Sequence, residues 1–154
     1  MLTASILVAF AQAFDKARAQ AGRINCVNNL KQVGVAFRIW SRAHGYEFPF
    51  NVPAKYGGSL ESCTNAVDGF DQNSWRHFQV MASELKTPTI LICPADSAKK
   101  PASDFKTLGS SNVTYQIRSG TNINETHPQE VLVRCPTHNI EVLCDGSAHQ
   151  RPKE

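Results

Sequence analysis

The sequence lacks a strong charge of one sign, a long apolar run, and any internal repeat or low-complexity tract. The formal net charge is only +3, which argues against nucleic-acid binding because such proteins concentrate far more positive charge on one face. The longest apolar segment, residues 1–14, is shorter than the roughly 20 residues that cross a bilayer. With 42% hydrophobic and 19% charged residues, the 154-residue chain is typical of one ordinary globular domain.

The sequence also lacks the common catalytic motifs. No glycine-rich phosphate loop, His-Glu-x-x-His helix or Gly-x-Ser-x-Gly turn occurs in it. A cysteine nucleophile would need a histidine base, and Cys93 with His77 or His138 is the candidate pair. Nothing in the sequence places these residues together, and five histidines make chance pairings common. We therefore expect that the protein is not an enzyme.

Charge is distributed unevenly along the chain. Residues 1–14 carry none, whereas residues 15–44 carry six basic side chains against the single acid Asp15. The remaining residues hold ten basic and twelve acidic side chains and are nearly balanced. The chain is therefore an apolar tip, a basic helix and a neutral domain. Basic residues just past an apolar tip would suit a membrane surface or acidic neighbours in an assembly.

The N-terminal third of the chain predicts one long helix, residues 1–44. Alanine-rich residues 15–21 have high helix propensity, and apolar residues recur beyond them at spacings of three or four. Gly45 predicts the helix end, and Pro49 follows shortly after. A helix over residues 2–44 would be roughly 65 Å long and would protrude from a domain of this size.

The two parts of this helix have different expected roles. We expect the apolar arm, residues 1–14, to be hidden in lipid or against other subunits through five side chains: Leu2, Ile6, Leu7, Phe10 and Phe14. We expect the amphipathic part, residues 15–44, to pack on the rest of the chain through five others: Ile24, Val27, Leu30, Phe37 and Trp40.

The apolar arm has three possible interpretations. A secretory signal peptide would carry its basic residues before the apolar run, whereas here they follow it. A buried core helix fits the length alone. We favour the third interpretation, in which the arm is the inner part of a longer hydrophobic helix whose start precedes this chain.

Residues 45–154 predict a small domain of short elements. A helix is expected over residues 74–85. Apolar or alternating runs predict four strands: 89–93, 113–118, 130–134 and 140–144. The five residues from Cys135 to Asn139 suit a hairpin loop between the last two strands. A long helix followed by antiparallel strands is an α+β pattern in which the sheet covers the amphipathic part of the helix.

Together, these segments resemble bacterial type II secretion pseudopilins, and more broadly the type IV pilin-like proteins of the prepilin-type N-terminal cleavage and methylation family. The resemblance rests on helix residues 17–40, which include Cys26, and on Cys93-Pro-Ala-Asp96. It extends over nearly the whole chain and implies a pilin-like fold. Ser5 stands where the family carries the glutamate linked to methylation, so neither processing nor methylation is assigned to this chain.

The resemblance implies a structural subunit of a pilus or pseudopilus filament, such as the one used in type II protein secretion. Its partners would be other copies of the chain, the secretion or pilus assembly machinery and the inner membrane. It would reside in the bacterial inner membrane and periplasm or in an extracellular filament. The alternative is a periplasmic or surface binding module that its N-terminal helix tethers without polymerisation. A third interpretation is a small zinc- or thiol-dependent enzyme.

Five cysteines raise the question of disulfides: Cys26, Cys63, Cys93, Cys135 and Cys144. In an oxidising compartment they would pair and leave one over, with Cys63 in a polar loop as the odd one. Cys135 and Cys144 flank the predicted hairpin, and a bond from Cys26 to Cys93 would tie helix to sheet. The sequence does not give the connectivity, and buried unpaired thiols are the alternative.

No cofactor is predicted, although two metal sites are left open. Zinc would use thiolates and imidazoles that lie close together near the C-terminus: Cys135, His138, Cys144 and His149. Calcium would use a group of oxygen-bearing side chains that is more typical of a solvated loop: Asn65, Asp68, Asp71 and Asn73.

Overall fold

The computed structural model of the protein describes residues 2–64 and 68–152, with side chains described from Ile6 onward in the first helix. That helix, α1, runs Leu2–Arg42 and is about 60 Å long. Within these ranges no helix combines the length and the apolarity that crossing a membrane requires. The side chain of the predicted arm residue Leu2 lies outside the described residues.

Helix α1 ends close to the position that the sequence predicts. Gly45 adopts a left-handed conformation with φ of +68°, which glycine accepts without strain. Across this turn the Tyr46 N–H donates to the Ser41 carbonyl at 2.9 Å and satisfies one of the carbonyls that a helix end leaves free. The last helical residue, Arg42, is two residues before the predicted boundary.

The C-terminal part of α1 packs on the domain, but not through all the predicted side chains. Three of them are buried: Leu30, Phe37 and Trp40. Val27 is half-buried. Ile24 is 54% exposed, so its predicted role in packing is wrong. Two residues turn an α-helix by about 200°, and because Cys26 faces the core, Ile24 faces solvent.

The sheet has four antiparallel strands that lie side by side in chain order. They are β1 (Gln116–Ile117), β2 (Val131–Cys135), β3 (Ile140–Leu143) and β4 (Ala148–Gln150). Helix α1 contacts β2, β3 and β4, so the sheet covers the C-terminal part of the helix. The predicted α+β arrangement, one long protruding N-terminal helix packed on a small antiparallel sheet, is confirmed.

Helix and sheet come close together at Gly34. A Cβ atom at this position would lie 2.9 Å from Cγ1 of Val142 on β3 and 3.3 Å from Cα of Gly146. Both distances are shorter than an ordinary van der Waals contact, so a larger residue would push the helix away from the sheet. Gly34 therefore sets the separation between the two layers.

The hairpin of β2 and β3 follows the prediction. Cys135 pairs with Ile140, and the loop between them contains Asn139 at φ of +55°. Asparagine tolerates this left-handed conformation better than most residues. The loop is therefore four residues, Pro136 to Asn139, one shorter than predicted because Cys135 belongs to β2, and it carries His138.

Two of the predicted strands are wrong in whole or in part. Residues 89–93 do not form a strand, because Pro88 starts a 3-10 helix, Pro88–Leu91, with the Thr89 N–H donating to the Thr87 side chain. Residues 113–118 form a strand only at β1, since the Thr114 N–H pairs with the Leu91 carbonyl outside the sheet.

The predicted helix over residues 74–85 is two short helices. They are α2 (Ser74–Gln79) and α3 (Ala82–Leu85), and the chain turns between them at Met81. Helix α3 contacts α1, so this pair covers the helix beside the sheet.

The core that holds α1 on the domain is rich in aromatic rings. The Phe37 ring lies 5.3 Å from that of Phe48 and 6.2 Å from that of Phe78, centroid to centroid. The Phe50 ring lies 6.3 Å from that of Phe37 in a tilted arrangement. All four rings are fully buried. Edge-to-face contacts of this kind add about 0.5–1.5 kcal/mol per pair to the burial itself.

Candidate functional site

The first candidate site is the exposed arm of α1, which we define as residues 6–21. Every residue in this range is exposed. Four of the predicted arm residues are each more than half exposed: Ile6, Leu7, Phe10 and Phe14. Large apolar side chains exposed together in this way mark interaction surfaces in soluble proteins. The structure therefore leaves the arm available to a partner.

An apolar stripe continues from the arm along the outer face of α1. Ile24, Val35 and Ile39 are each slightly more than half exposed. Val35 follows Ile24 by 11 residues and Ile39 follows Val35 by four, which are close to three turns and one turn of helix. By the same arithmetic Ile6 and Phe10 lie on this face. We call these five side chains the outer stripe.

The second candidate site brings together three thiols and an imidazole, and we call it the Cys3His cluster: Cys26, Cys93, Cys135 and His138. The four candidate ligand atoms all lie within 4.8 Å of one another. The three cysteines are completely buried, and the imidazole is half-buried at the edge of the group. The Sγ of Cys93 lies 3.1 Å from Nδ1 of His138.

Separate elements of the fold supply the members of the Cys3His cluster. Cys26 lies on the packed part of α1, and Cys93 lies in the turn after the 3-10 helix. Cys135 ends β2, and His138 lies in the hairpin loop. The cluster therefore joins helix, turn and sheet at one point.

Hydrogen bonds within the cluster favour a thiolate at Cys135. The Cys26 thiol donates to Cys135, and this bond, with the backbone N–H groups of His138 and Thr137, lowers the pKa of Cys135 to about 5. The same thiol–thiol bond raises the pKa of Cys26, because Cys26 keeps the shared proton. Burial raises the pKa of Cys93, against the backbone N–H of Ala95 that donates to its sulfur.

Polar groups around the cluster hold it in place. The Tyr115 hydroxyl lies 3.5 Å from Sγ of Cys26 and 3.4 Å from the Ile92 carbonyl. Burial raises the pKa of Tyr115, so the hydroxyl remains a donor at neutral pH. The Cys93 N–H donates to Oγ1 of Thr114 at 3.1 Å. These bonds fix both the helix side and the turn side of the cluster.

The predicted disulfides are not present, since all five cysteines are free thiols in the structure. The pairing of Cys135 with Cys144 is wrong because the two lie at opposite ends of the hairpin. Cys135 pairs with Ile140, whereas the Cys144 N–H donates to the Glu130 carbonyl before β2 begins. Cys26 and Cys93 do come together, but as two members of the Cys3His cluster.

The structure brings together only two of the four side chains that the sequence left open as zinc ligands. Cys135 and His138 belong to the Cys3His cluster, whereas Cys144 and His149 do not. Cys144 is buried elsewhere, and burial raises its pKa to about 12. His149 is exposed and contacts Ser147 instead. The sequence placed the hairpin correctly but not the helix and turn that supply the other two thiols.

Of the two histidines considered as a base for Cys93, only one contacts it. Cys93 contacts His138, whereas His77 belongs to a different buried group. Complete burial of Cys93 keeps a substrate away from its sulfur. The contact is therefore unsuited to nucleophilic catalysis, which requires an accessible thiolate.

A second buried polar network was missed at the sequence level. The Ser59 hydroxyl lies 2.7 Å from Nδ1 of His77, and Nε2 of the same ring lies 3.2 Å from Oδ2 of Asp71. A hydroxyl, an imidazole and a carboxylate in a row are the parts of a hydrolytic triad. All three are buried, however, so substrate has no access to the hydroxyl. The network instead holds Ser59 and Asp71 against the buried ring of His77.

Asp71 accepts most of the hydrogen bonds in this network. Burial alone would raise its pKa, but the adjacent His77 ring and the hydrogen bonds from the side chain and backbone of Thr64 lower it below the ordinary value of 3.8. The Asn73 N–H and the Ser119 hydroxyl also donate to its carboxylate, at 2.8 and 3.0 Å. The carboxylate is therefore ionised and saturated with protein donors.

Among the described residues, the side chains that the sequence left open for calcium make contacts with protein groups. Protein donors already occupy the Asp71 oxygens, and the Asn73 N–H is one of them. Asp68 instead contacts Nη2 of Arg134 at 2.8 Å. Asn65 lies outside the described residues.

Comparison of the chain with protein-family models, with curated proteins and with solved structures finds no match. The resemblance to pseudopilins therefore stays a prediction.

Proposed function

We propose that the protein is a structural subunit that assembles into a filament through helix α1, as pilin-like proteins do. The observation that supports the proposal is the exposed arm, whose apolar side chains lie in solvent beyond the part of the helix that packs on the domain. A helix of this length is unnecessary for holding a small sheet. Its surplus length gives copies of the chain a surface along which to pack.

The apolar side chains on α1 would contribute favourably to association if neighbouring helices buried them. Fully burying one large apolar side chain contributes about 1.5–3 kcal/mol. The arm residues Ile6, Leu7, Phe10 and Phe14 together approach the about 4–15 kcal/mol that association costs in lost freedom. The outer stripe adds Ile24, Val35 and Ile39 beside the domain. Packing of both regions against neighbouring helices would place the arms in a filament core and the domains outside.

The partner we propose for this surface is a second copy of the same helix. The five side chains of the stripe lie along one side of α1 from Ile6 to Ile39, and a surface this long and narrow suits another long helix better than a compact globular partner. On this proposal the subunit acts mechanically, with no catalytic residue. The inner membrane and a secretion or pilus assembly machinery remain its expected location and partners by resemblance alone.

The experiment compares two aspartate substitutions on the arm. Leu7→Asp puts a charge among the apolar side chains, and Gln12→Asp puts the same charge about 140° around the helix. Purified full-length chains, exchanged from detergent into buffer, are examined by negative-stain electron microscopy and sedimentation. We expect filaments from the unmodified chain and from Gln12→Asp, and monomers with unchanged circular dichroism from Leu7→Asp.

Normal filaments from Leu7→Asp would count against the arm as the assembly surface. Monodisperse monomers from the unmodified chain across the micromolar range would favour a binding module that the helix only tethers.

A further inference from the structure

We infer that Cys26, Cys93, Cys135 and His138 form a structural zinc site of the Cys3His type, which ties the middle of α1 to the sheet. The inference is independent of filament assembly. It rests on four ligands of the right chemistry that the fold gathers into one small volume. Three thiolates and one imidazole are an established donor set for structural zinc.

The spacing of the ligand atoms suits a tetrahedral ion. Zinc holds sulfur at about 2.3 Å and nitrogen at about 2.0 Å, which sets its ligands about 3.5–3.8 Å apart in a tetrahedron. The four atoms here lie within 4.8 Å of one another, and the Cys93 to His138 contact is 3.1 Å. Side-chain shifts below about 1 Å would therefore close the tetrahedron without moving the backbone.

Two similar turns present thiols in the way that zinc-binding turns do. Each has a cysteine followed by proline, at Cys93 and at Cys135. The Ala95 N–H donates to the sulfur of Cys93. The N–H groups of Thr137 and His138 donate to the sulfur of Cys135. Backbone N–H groups that point at sulfur stabilise the thiolate, which is the form that binds metal. Cys135-Pro-Thr-His138 supplies two of the ligands from a single turn.

The surroundings provide the outer support that metal ligands need. The Tyr115 hydroxyl contacts the sulfur of Cys26 at 3.5 Å, which fixes the ligand on the helix. The sulfurs are buried, whereas the imidazole borders a surface cleft lined by Gly22, Pro94, Ala95 and His138. An ion would enter from this side, where Gly22 leaves room between helix and turn.

A zinc ion would bind all four side chains of the cluster, which the alternatives would not engage together. One disulfide among the three cysteines would leave the third thiol and the imidazole without a joint role. Three thiolates without an ion would repel one another in a buried place, whereas zinc neutralises two of the three charges. The ion would hold α1 on the domain at Cys26, close to where the exposed N-terminal part of the helix leaves the domain.

The test measures zinc in the full-length chain, purified in detergent under reducing conditions. We expect one zinc per chain by elemental analysis. Replacement by cobalt should give the visible absorption of a tetrahedral thiolate site. Cys93→Ser should lose both signals, whereas Cys63→Ser, which alters an exposed thiol outside the cluster, should keep them.

His138→Ala is the second variant, because its half-buried side chain can be removed with little risk to folding. It should weaken zinc binding by at least the roughly 100-fold that loss of a ligand's supporting partner produces, as measured by competition with a chelator. Circular dichroism verifies that both variants remain folded.

Two outcomes would overturn the inference. The first is a reduced, folded chain that takes up no zinc or cobalt while all five thiols react with a thiol reagent after unfolding. The second is a chain that carries a disulfide between two cluster cysteines as isolated, by mass spectrometry, together with no metal.

Discussion

The two halves of helix α1 share one backbone conformation but differ in what surrounds them. Residues 6–21 are exposed throughout, whereas the inner face of residues 26–41 is buried against rings and strands. Both halves are rich in apolar side chains, so composition alone does not separate them. The difference shows that an apolar helical segment can serve either folding or association, and that the rest of the chain decides which.

Phenylalanine occurs in both halves and gives the largest expected contrast. Phe37 is fully buried and Phe14 is 74% exposed. Phe37→Ala should lower the free energy of unfolding by about 3–5 kcal/mol, because it leaves a cavity among aromatic rings. Phe14→Ala should change it by less than about 0.5 kcal/mol. Urea unfolding of both variants in detergent measures the difference, and equal losses would mean that the arm is part of the folded core.

A substitution at Asp71 tests what stabilises the domain on which the C-terminal half of α1 packs. Asp71→Asn should lower the free energy of unfolding at pH 7 by about 2–3 kcal/mol, because charged hydrogen bonds are lost. The folded pKa of Asp71 lies below its ordinary value of 3.8, so its contribution is complete above about pH 4 and declines as the pH falls further.

The gap in stability between the unmodified chain and Asp71→Asn should therefore narrow in acid. Thermal unfolding of both from pH 7 to pH 3 measures it. A gap that stays constant over this range would contradict the account of Asp71 as an ionised acceptor.

The glycines of α1 offer a smaller contrast. Gly34→Ala should lower stability by about 1–3 kcal/mol, because the new methyl group would meet Val142 at 2.9 Å. Gly22→Ala should raise stability by up to about 1 kcal/mol, since its methyl group would meet only Pro94, at 3.9 Å, and alanine favours helix. Thermal unfolding of the two variants measures these changes in stability. Changes of the same sign in both variants would contradict the difference in packing at the two glycines.

Ile24 gives the smallest expected effect on folding. Ile24→Gln removes an apolar side chain of the outer stripe, and stability should change by less than about 0.5 kcal/mol. Sedimentation at equal concentration should nevertheless show weaker self-association. A loss of stability similar to that of a buried isoleucine would restore the packing role that the sequence predicted for it.

The sequence predicted the larger features of the fold because they rest on local signals. The long helix, its end at Gly45 and the hairpin follow from periodicity, a left-handed glycine and a short loop that contains proline and asparagine. The inner face of α1 was misjudged at Ile24, since isoleucine and Cys26 are both suited to burial and only the packed domain selects between them.

The Cys3His cluster could be predicted only in part. The repeated Cys-Pro dipeptide at Cys93 and Cys135 was a usable signal for two similar turns, and the spacing to His138 was visible. The contribution of Cys26 was not visible, because it depends on how far α1 runs before it meets the sheet. Likewise, the group of Ser59, His77 and Asp71 depends on a long-range contact that no local pattern encodes.

Hydrogen exchange along α1 would test the comparison most directly. Exchange is measured by mass spectrometry on the full-length chain, first as dispersed monomers in detergent and then as assembled material in buffer. The account predicts that assembly slows exchange strongly over residues 6–21, while residues 26–41 are protected in both states. Unchanged exchange over residues 6–21 in sedimenting material would contradict it, because association would then occur through another surface.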